Sequence, residues 1–458
     1  MPFTRQVSAT RKAVLVVGAV TLLAGAVRFH ALARPPEKVF DETYYATDGC
    51  WYAGEPYEDC GLESDVERSW VHPPLGKQII ALGIDGFGNR PFGWRFTAAL
   101  AGTATVALVG ILAFLLFGSA LWAGVAALLA ATEHLLFVQS RIAMLDVFLA
   151  FFIVLGFALL VADRRRSEPA RATEPLAGEE ETHRARRPLR HLAGAAFGAA
   201  VAVKWSGLLA LAAAAALAAG WEYARRKRAG DTRPFLSSAR REGLSLYTAF
   251  IVVPLLVYLL PWIPWLADRS FDFGELVSHH GQMAEYHFGL DTTEDSGEAI
   301  HPYMSRAWGW LLLLRPVAYH WQGDPDCCAE ILGIGNPALY WGALLVIPYL
   351  GLVWSSRKEW QAGAILIPTL VQLVPWFLVA RPLFLFYMTP VSPFLALGMV
   401  YPIRDLFRSR LDRRIAFAAA TLVVGVCVGL FAFFWPVLAS SPVTFDQWRA
   451  RVWFDGWV

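Results

Sequence analysis

Two adjacent carboxylates, Asp41 and Glu42, follow the first long apolar segment of the chain after a short linker. Acidic groups so close to a lipid interface are costly to maintain, so they indicate catalysis or ligand binding rather than solubility. A carboxylate in such a position can take the proton from an attacking hydroxyl group as a general base. What the pair acts on depends on the side of the membrane on which it lies.

Five basic residues stand at the ends of apolar segments on the same side as this pair, under the topology derived below. Their placement runs against the usual excess of positive charge in cytoplasmic loops. A local anion, most simply a phosphate at headgroup depth, accounts for them; the alternative is that each side chain reaches for lipid headgroups. The five are Arg28, Arg95, Arg141, Lys204 and Arg381.

The elements that position these groups are membrane-spanning helices. Of 458 residues, 56% are hydrophobic and only 17% are charged, and the apolar residues form long blocks rather than amphipathic stripes. A span needs about 20 apolar residues, which predicts an all-α polytopic membrane protein. We predict eleven spans, at about 12–32, 94–117, 119–139, 145–162, 190–205, 206–222, 245–266, 337–355, 361–379, 383–402 and 415–438.

The orientation follows from the basic loops. Arginine-rich blocks at 164–190, 225–241 and 404–414 are expected to be cytoplasmic, and the N-terminus then lies on the same side. Eleven spans put the C-terminal tail outside. The chain divides into an N-terminal transmembrane catalytic module (1–266), an outer loop (267–336) and a C-terminal four-helix module with its tail (337–458).

Under this topology the first outer loop, 33–93, holds the acidic pair and the motif His72-Pro-Pro-Leu-Gly-Lys77. The second outer loop holds His279-His280, His287 and the motif His301-Pro-Tyr-Met-Ser305. Outside the cytoplasm nucleotide sugars are absent, so a sugar donor there must be carried by a lipid. Arginine or lysine can stabilise a departing phosphate, which needs no dedicated general acid.

These motifs, taken in order, resemble the protein O-mannosyltransferases, membrane enzymes of the C-type glycosyltransferase fold that use polyprenyl-phosphate-mannose. The resemblance extends from about residue 12 to 438 and is closest to the bacterial, actinobacterial-type branch. It also rests on three further motifs, namely Arg141-Ile-Ala-Met-Leu-Asp146, Val203-Lys-Trp-Ser-Gly207 and Arg315-Pro316.

The resemblance implies inverting transfer of mannose to Ser or Thr hydroxyls of exported proteins, with delivery of the acceptor during its translocation. It makes Asp41 the base, Glu42 its partner in placing the acceptor peptide, and Arg95 the contact of the lipid phosphate. Arg28 is expected near the active site, and Asp146 is expected to pair with Arg141. Lys204 and Arg141 are also expected at the donor or substrate site, although they could equally hold the fold together, and His72, Lys77 and Arg381 complete that site.

Two features depart from the family pattern. Residues 267–336 are too short for the β-trefoil domain that eukaryotic members carry in this loop, which points to the bacterial branch. Many relatives have an acid shortly before the His-Pro-Pro motif, whereas Ser69, Trp70 and Val71 stand there in this chain.

Several alternatives remain open. His72 before two prolines is also typical of the cap of a short interfacial helix. His279 and His280 could ligate a divalent metal beside Asp41 or Glu42, although no ligand spacing supports it and no cofactor is firmly implied. Cys50 and Cys60 are the favoured disulfide in an oxidising compartment, with a bridge to Cys327 or Cys328 as the alternative.

Two other functions compete with protein mannosylation. A related enzyme of the same fold could transfer a lipid-borne sugar to a lipid or a glycan, but would not be expected to carry both histidine-proline motifs. A transporter or flippase predicts charges near the membrane centre and repeated halves with broken helices. In this sequence the polar residues cluster at one face and no repeat is visible.

Overall fold

The fold is that of a helical membrane protein, seen in a computed structural model that describes residues 2–63, 68–172, 187–290, 292, 301–323 and 328–457. The first ten helices are α1 (Pro2–Phe29), α2 (Glu42–Tyr52), α3 (Tyr57–Cys60), α4 (Leu75–Phe87), α5 (Pro91–Phe117), α6 (Ala120–Ala131), α7 (His134–Gln139), α8 (Leu145–Ala172), α9 (Pro188–Val203) and α10 (Gly207–Arg228). The remaining nine are α11 (Pro234–Tyr247), α12 (Val253–Leu259), α13 (Ile263–Asp268), α14 (Phe273–Phe288), α15 (Pro337–Arg357), α16 (Trp360–Leu373), α17 (Ser392–Arg408), α18 (Arg413–Leu438) and α19 (Phe445–Arg449).

Every predicted span contains at least one helix. Within the described ranges, eight helical segments are long and apolar enough to cross a membrane, and α11 to α13 count as one of them, Pro234–Asp268. Three predicted spans fall on the shorter helices α6, α9 and α17. The polytopic fold is thus confirmed, whereas the count of eleven crossings stays a prediction.

The predicted span 119–139 differs from the structure, which has two helices there. The chain breaks at Thr132 and Glu133, between α6 and α7. The carboxylate of Glu133 caps α7 by accepting from the backbone N–H groups of Leu135 (3.1 Å) and Leu136 (2.6 Å). A buried acid that satisfies free N–H groups makes a second helix start at this point.

A small antiparallel hairpin also departs from the all-α prediction. Strands β1 (Val317–Gly323) and β2 (Cys328–Gly333) pair from Val317 opposite Gly333 to Gly323 opposite Cys328. The register shifts between Ala318 and His320, so Tyr319 is the extra residue of a β-bulge. Such a bulge re-aims one side chain, and here the Tyr319 hydroxyl accepts a hydrogen bond from the Gln139 amide at 2.5 Å.

The expected disulfide between Cys50 and Cys60 is present and ties the end of α2 to α3. Cys427 is free and buried, as a packing residue would be. Cys327 lies outside the described residues. The bridge therefore fixes the first large loop within itself rather than to the second.

The first loop packs closely against the bundle through the α4–α5 turn. A Cβ on Gly83 would lie 2.3 Å from the carbonyl oxygen of Gly93, and a Cβ on Gly93 would lie 2.1 Å from that of Gly88. Only glycine permits this approach of two backbones. The contact brings the start of α5, with Arg95, beneath the loop that carries the acidic pair.

Glu42 is the residue on which this loop is fixed. Its two carboxylate oxygens accept from the Arg95 guanidinium at 2.8 and 2.7 Å, and both side chains are fully buried. The same oxygens accept from the backbone N–H of Ala143 (2.8 Å) and of Val39 (3.0 Å). One carboxylate thus joins α2 to α5, to the α7–α8 connection and to its own preceding loop.

Arg95 uses its remaining N–H groups on the backbone of that preceding loop. It donates to the carbonyl oxygens of Leu32 (3.3 Å), Pro35 (2.7 Å) and Glu37 (2.9 Å). A planar guanidinium with five donors suits such a cage. All five are used within the protein.

We expect Glu42→Gln to destabilise the protein by about 3–5 kcal/mol, because it leaves the buried Arg95 charge without its counter-charge. The measurement is thermal unfolding of the purified protein in detergent. Glu275→Gln is the matched control, since its ion pair with Arg269 is partly exposed and should contribute about 1 kcal/mol or less. Equal loss of thermal stability in the two variants would contradict the anchoring role.

Candidate active site

Asp41 and Glu42 point in different directions because they begin a helix. Asp41 is the N-cap of α2 and Glu42 its first residue, so successive side chains are turned by about 100°. Glu42 faces Arg95, whereas Asp41 faces Tyr45, whose hydroxyl donates to it from the next turn. The two acids, equal in the sequence, therefore have separate partners.

The backbone before Asp41 is strained. Phe40 has a φ of 47°, a left-handed conformation that is unfavourable for a bulky side chain. Its ring is enclosed edge-on by Tyr319 (5.2 Å between ring centroids), His301 (5.7 Å) and Phe386 (6.0 Å). These aromatic contacts hold a conformation that the chain would not keep alone, and they fix the direction of Asp41.

The carboxyl group of Asp41 is poised to accept a proton. Withdrawal from water raises its pKa to about 6, and the neighbouring charge of Lys204 opposes this while that of Asp146 adds to it. Within the described residues no ion pair to Asp41 is formed. A carboxylate with a pKa close to neutrality is suited to general base catalysis.

Asp146 pairs with Lys204, at 2.9 Å, and not with Arg141 as expected. Asp146 stands in the first turn of α8, and Lys204 directly follows α9. Helices α8 and α9 pack against each other, so the start of α8 and the end of α9 bring the pair together at one end of the bundle. Lys204 also lies over the rings of Phe386 (5.7 Å) and Tyr387 (5.0 Å), so its charge is held between acid and aromatic faces.

A cavity of about 490 Å³ opens beside this pair. Its charged and polar lining includes His72, Asp146, Lys204, His287, Arg381 and Tyr387. Its apolar lining includes Leu149 and Ile153 of α8, Leu209 of α10, and Leu378 and Val379. From Asp146 to Ile153 the cavity follows α8 for roughly 10 Å, at 1.5 Å per residue. It is cationic at one end and apolar along its length.

Arg381 lies on the far wall of this cavity, in the connection between α16 and α17. It donates to the ring of His287 at 3.2 Å and to the Tyr387 hydroxyl at 3.4 Å. Its Nε is buried without a partner among the described residues. The structure thus brings Arg381 and Lys204 to one cavity although 177 positions of the sequence separate them.

His72 lines the cavity, whereas Lys77 does not. The Lys77 ammonium is fully buried and donates to the carbonyl oxygens of Ser69 (3.0 Å) and His72 (3.2 Å), with Asp48 at 3.9 Å. Lys77 therefore shapes the loop that presents His72, in place of the substrate contact expected for it. Burial is the main cause that holds the pKa of His72 well below its usual range, so the imidazole is neutral.

Arg141 and Arg28 both donate hydrogen bonds within the protein at the end of α1. Arg141 donates to the carbonyl oxygens of Arg28 (2.8 Å) and His30 (2.7 Å), which end α1. Arg28 is fully buried and donates to the Ser140 hydroxyl at 3.2 Å. Helix C-termini leave carbonyl groups unpaired, and a guanidinium satisfies several at once.

Arg95, for which the sequence predicts a phosphate contact, is likewise bound within the protein. Its five N–H groups are all bound within the protein, so the geometry leaves it no donor for a lipid phosphate. Glu42 is the hydrogen-bonding partner of Arg95 and anchors the same loop. Of the five basic residues singled out in the sequence, Lys204 and Arg381 line the cavity, and the other three hold the backbone around it.

The metal alternative has no ligand set in the part of the chain that the structure describes. No three His, Cys, Asp or Glu side chains there lie together as metal ligands would. His280 bonds through both ring nitrogens, to the Leu276 carbonyl and the Tyr258 hydroxyl. His279 packs on Trp262 and Trp265.

Some residues of the site were not singled out in the sequence. Trp205 and Trp376 line the cavity, and Tyr387 contacts both of its cations. Tyr387 falls inside a predicted span, where an aromatic residue gives no signal of its own. His287 was visible as a histidine of the second loop, but nothing in its spacing linked it to Arg381.

Comparison with known proteins agrees with this architecture. Residues 18–265 match the family described as dolichyl-phosphate-mannose-protein mannosyltransferase, and residues 272–457 match the C-terminal four-helix region of protein O-mannosyltransferase. The polyprenol-phosphate-mannose–protein mannosyltransferase of Mycobacterium tuberculosis is 30% identical, over 97% of this chain and 91% of the relative. That of Corynebacterium glutamicum is 27% identical, over 99% and 94%.

Solved structures share the fold at low sequence identity. A chain of the Saccharomyces cerevisiae protein O-mannosyltransferase Pmt1-Pmt2 complex, bound to the sugar donor, superposes with a TM-score of 0.76 at 15% identity, covering 98% of this chain and 93% of that one. ArnT from Cupriavidus metallidurans, bound to undecaprenyl phosphate, gives 0.55 at 18% identity, covering 92% and 64%. The fold is that of the C-type glycosyltransferases, and with its two family regions the chain belongs to the protein mannosyltransferases.

Proposed function

We propose that this enzyme transfers mannose from polyprenyl-phosphate-mannose to Ser or Thr hydroxyls of exported proteins, with Asp41 as the general base and with inversion at the anomeric carbon. The observation that carries the proposal is the position of Asp41. Its carboxylate interacts electrostatically with Lys204 and Asp146, which pair with each other and line the cavity.

The cavity suits a lipid that ends in a phosphate. Lys204 and Arg381 supply positive charge and N–H donors at one end, where a phosphate would bind. Leu149, Ile153 and Leu209 supply an apolar wall for a hydrocarbon chain. The aromatic side chains of Trp205, Phe288 and Trp376 extend this wall. The polyprenol-phosphate-mannose that the mycobacterial relative is named for has this chemistry.

The reaction needs one base and one stabilised leaving group. Asp41 takes the proton from the Ser or Thr hydroxyl as its oxygen bonds to the anomeric carbon of mannose. The bond from that carbon to the phosphate oxygen breaks, and the phosphate leaves with the electron pair. Lys204 and Arg381 stabilise its growing negative charge. Attack on the face opposite the phosphate inverts the configuration.

Three consecutive helices support an extracytoplasmic site. Helix α8 runs from Asp146 to the arginines at 164–166, α9 from Arg187 to Lys204, and α10 from beside Lys204 to the arginines and lysine at 225–228. Each has one end at the cavity and a basic block at the other. The excess of positive charge in cytoplasmic loops then favours an extracytoplasmic cavity in the bacterial plasma membrane, a cytoplasmic N-terminus and an outer C-terminus.

We expect Asp41→Asn to abolish transfer while donor binding is retained, because the amide cannot accept the proton. The assay uses labelled polyprenyl-phosphate-mannose and a Ser/Thr-rich peptide, with and without a chelator, and the anomeric configuration of the product is read by NMR. Asp85→Asn, an exposed aspartate of α4, is the control. Full activity of Asp41→Asn would rule out the proposed base, and transfer to lipid or glycan but not peptide would rule out the proposed acceptor.

Activity should fall on the acid side with a midpoint close to pH 6. The pKa of Asp41 is raised to about 6, so the carboxylate is the main form at pH 7 and is lost as the pH drops below that value. The acceptor kcat/KM at saturating donor should then decrease about tenfold per pH unit. A flat profile from pH 5 to 7.5, with the protein still folded, would contradict this assignment.

Arg381→Gln should raise the donor KM by about tenfold or more, because one charge-assisted contact to the phosphate is lost. The acceptor KM should change little. Arg269→Gln removes an arginine that pairs with Glu275 outside the cavity and should leave both constants near the wild-type values. A change confined to the acceptor KM in Arg381→Gln would be inconsistent with a phosphate contact.

A further inference from the structure

Helix α14 ends at the cavity, which His287 and Phe288 of its last turn line. Leu276, His280, Met283 and His287 follow one another at intervals of four, three and four residues, so they share a side of the helix. Leu276 and Met283 are buried in a cluster with Trp262. The other side of the helix is exposed, with Val277 at 72%. Apolar contacts thus hold the helix, and the two histidines on the same face meet polar partners.

His280 anchors the helix through a directed chain of hydrogen bonds. The indole N–H of Trp205 donates to the Tyr258 hydroxyl at 3.0 Å, and that hydroxyl lies 2.7 Å from Nε2 of His280. Nδ1 of His280 lies 2.8 Å from the carbonyl oxygen of Leu276. A carbonyl can only accept, so the proton of His280 is on Nδ1 and its Nε2 accepts from Tyr258. Trp205, a wall of the cavity, is tied to α14 in this way.

His287 has the opposite tautomer to His280. Its Nε2 lies 2.9 Å from the carbonyl oxygen of Val71, and its Nδ1 lies 3.2 Å from Nη1 of Arg381. The carbonyl can only accept and the guanidinium can only donate. His287 is therefore a neutral imidazole with its proton on Nε2 and its lone pair directed at Arg381. It joins α14 to the loop before the His72 motif and to the far wall of the cavity.

We propose that His287 is a positioning residue that holds the guanidinium of Arg381 toward the donor phosphate, and that it does so only as the neutral imidazole. The proposal rests on the proposed function, since it takes the donor to carry a phosphate. His287 itself lies beside the phosphate position and accepts from Arg381, so it acts through that arginine.

Protonation of His287 would turn its attractive contact with Arg381 into a repulsive one. An N–H on Nδ1 would then face an N–H of Arg381, and two positive charges would lie about one hydrogen-bond length apart. The groups that face His287 are Arg381, Lys204 and His72, and Asp146 lines the same cavity in its ion pair with Lys204. Burial, together with Arg381 and Lys204, holds the pKa of His287 below its usual range, so the neutral form prevails at pH 7.

The experiment measures the donor KM and kcat of the full-length enzyme in detergent with synthetic polyprenyl-phosphate-mannose and a Ser/Thr-rich peptide. His287→Ala should raise the donor KM about tenfold, with a smaller change in kcat, because Arg381 loses its acceptor. His287→Asn should restore much of the donor affinity, since an amide oxygen can take the place of Nδ1. His279→Ala, on the same helix but packed on Trp262 and Trp265, is the control and should leave the donor KM unchanged.

The pH dependence separates this role from simple packing. In the wild type the donor KM should rise as the pH falls from 7 to 5, whereas in His287→Asn it should stay flat, because asparagine does not titrate. Loss of the Asp41 base would lower kcat instead and would appear in both proteins. An unchanged donor KM in His287→Ala, or a wild-type pH dependence in His287→Asn, would overturn the proposal.

The proposed function can fail separately. If Arg381→Gln and His287→Ala both leave the donor KM unchanged, the phosphate site itself is wrong. If Arg381→Gln raises the donor KM but His287→Ala does not, the phosphate site stands and only the role of His287 is overturned. An equal loss of donor affinity in His287→Ala and His287→Asn, with unchanged pH dependence, would indicate that the ring only fills space.

Discussion

The ion pair between Glu42 and Arg95 is the contact on which the arrangement of the site depends. Both side chains are fully buried, and every oxygen and N–H group of the pair has a partner within the protein. A buried ion pair is tolerable only when its remaining hydrogen bonds are satisfied. Here those bonds go to the loop before α2 and to the α7–α8 connection. Since Asp41 precedes Glu42 directly, the position of the proposed base follows from an interaction in which it takes no part.

The basic residues at this end of the bundle fall into two groups, which differ in whether they bind the surrounding protein or line the cavity. Arg28, Arg95 and Arg141 are at most 4% exposed and donate hydrogen bonds to carbonyl, hydroxyl or carboxylate oxygens of the protein. Lys204 and Arg381 line a cavity of about 490 Å³ instead. Charge alone does not distinguish these groups. What distinguishes them is whether the surrounding backbone leaves unpaired carbonyl groups, which attract a guanidinium and remove it from ligand binding.

The two cations of the cavity are held in place by contacts with other residues of the protein. Lys204 is fixed by Asp146 and by two aromatic rings, and Arg381 by His287 and the Tyr387 hydroxyl. Such support limits the motion of long side chains and so lowers the entropy lost when an anion binds. The aromatic enclosure of the strained Phe40 serves the same purpose for the neighbouring carboxylate. Preorganised charge of this kind is how an active site stabilises a charge that develops during reaction.

The sequence by itself determined the membrane class, most helical positions and the family, because apolar block length and ordered motifs are local properties of the chain, and it favoured the Cys50–Cys60 bridge over its alternative. It also predicted that the acidic pair and the two cavity cations, Lys204 and Arg381, lie on the same side of the membrane. Only the tertiary structure decided that Asp146 pairs with Lys204, that Arg95 is a structural residue, and that His287 meets Arg381 across 94 positions. Arg95 and Arg381 both stand at the end of a predicted span, so their local sequence does not distinguish their roles. Their roles differ because partners distant in sequence supply or withhold hydrogen-bond acceptors, and that is settled only when the helices pack.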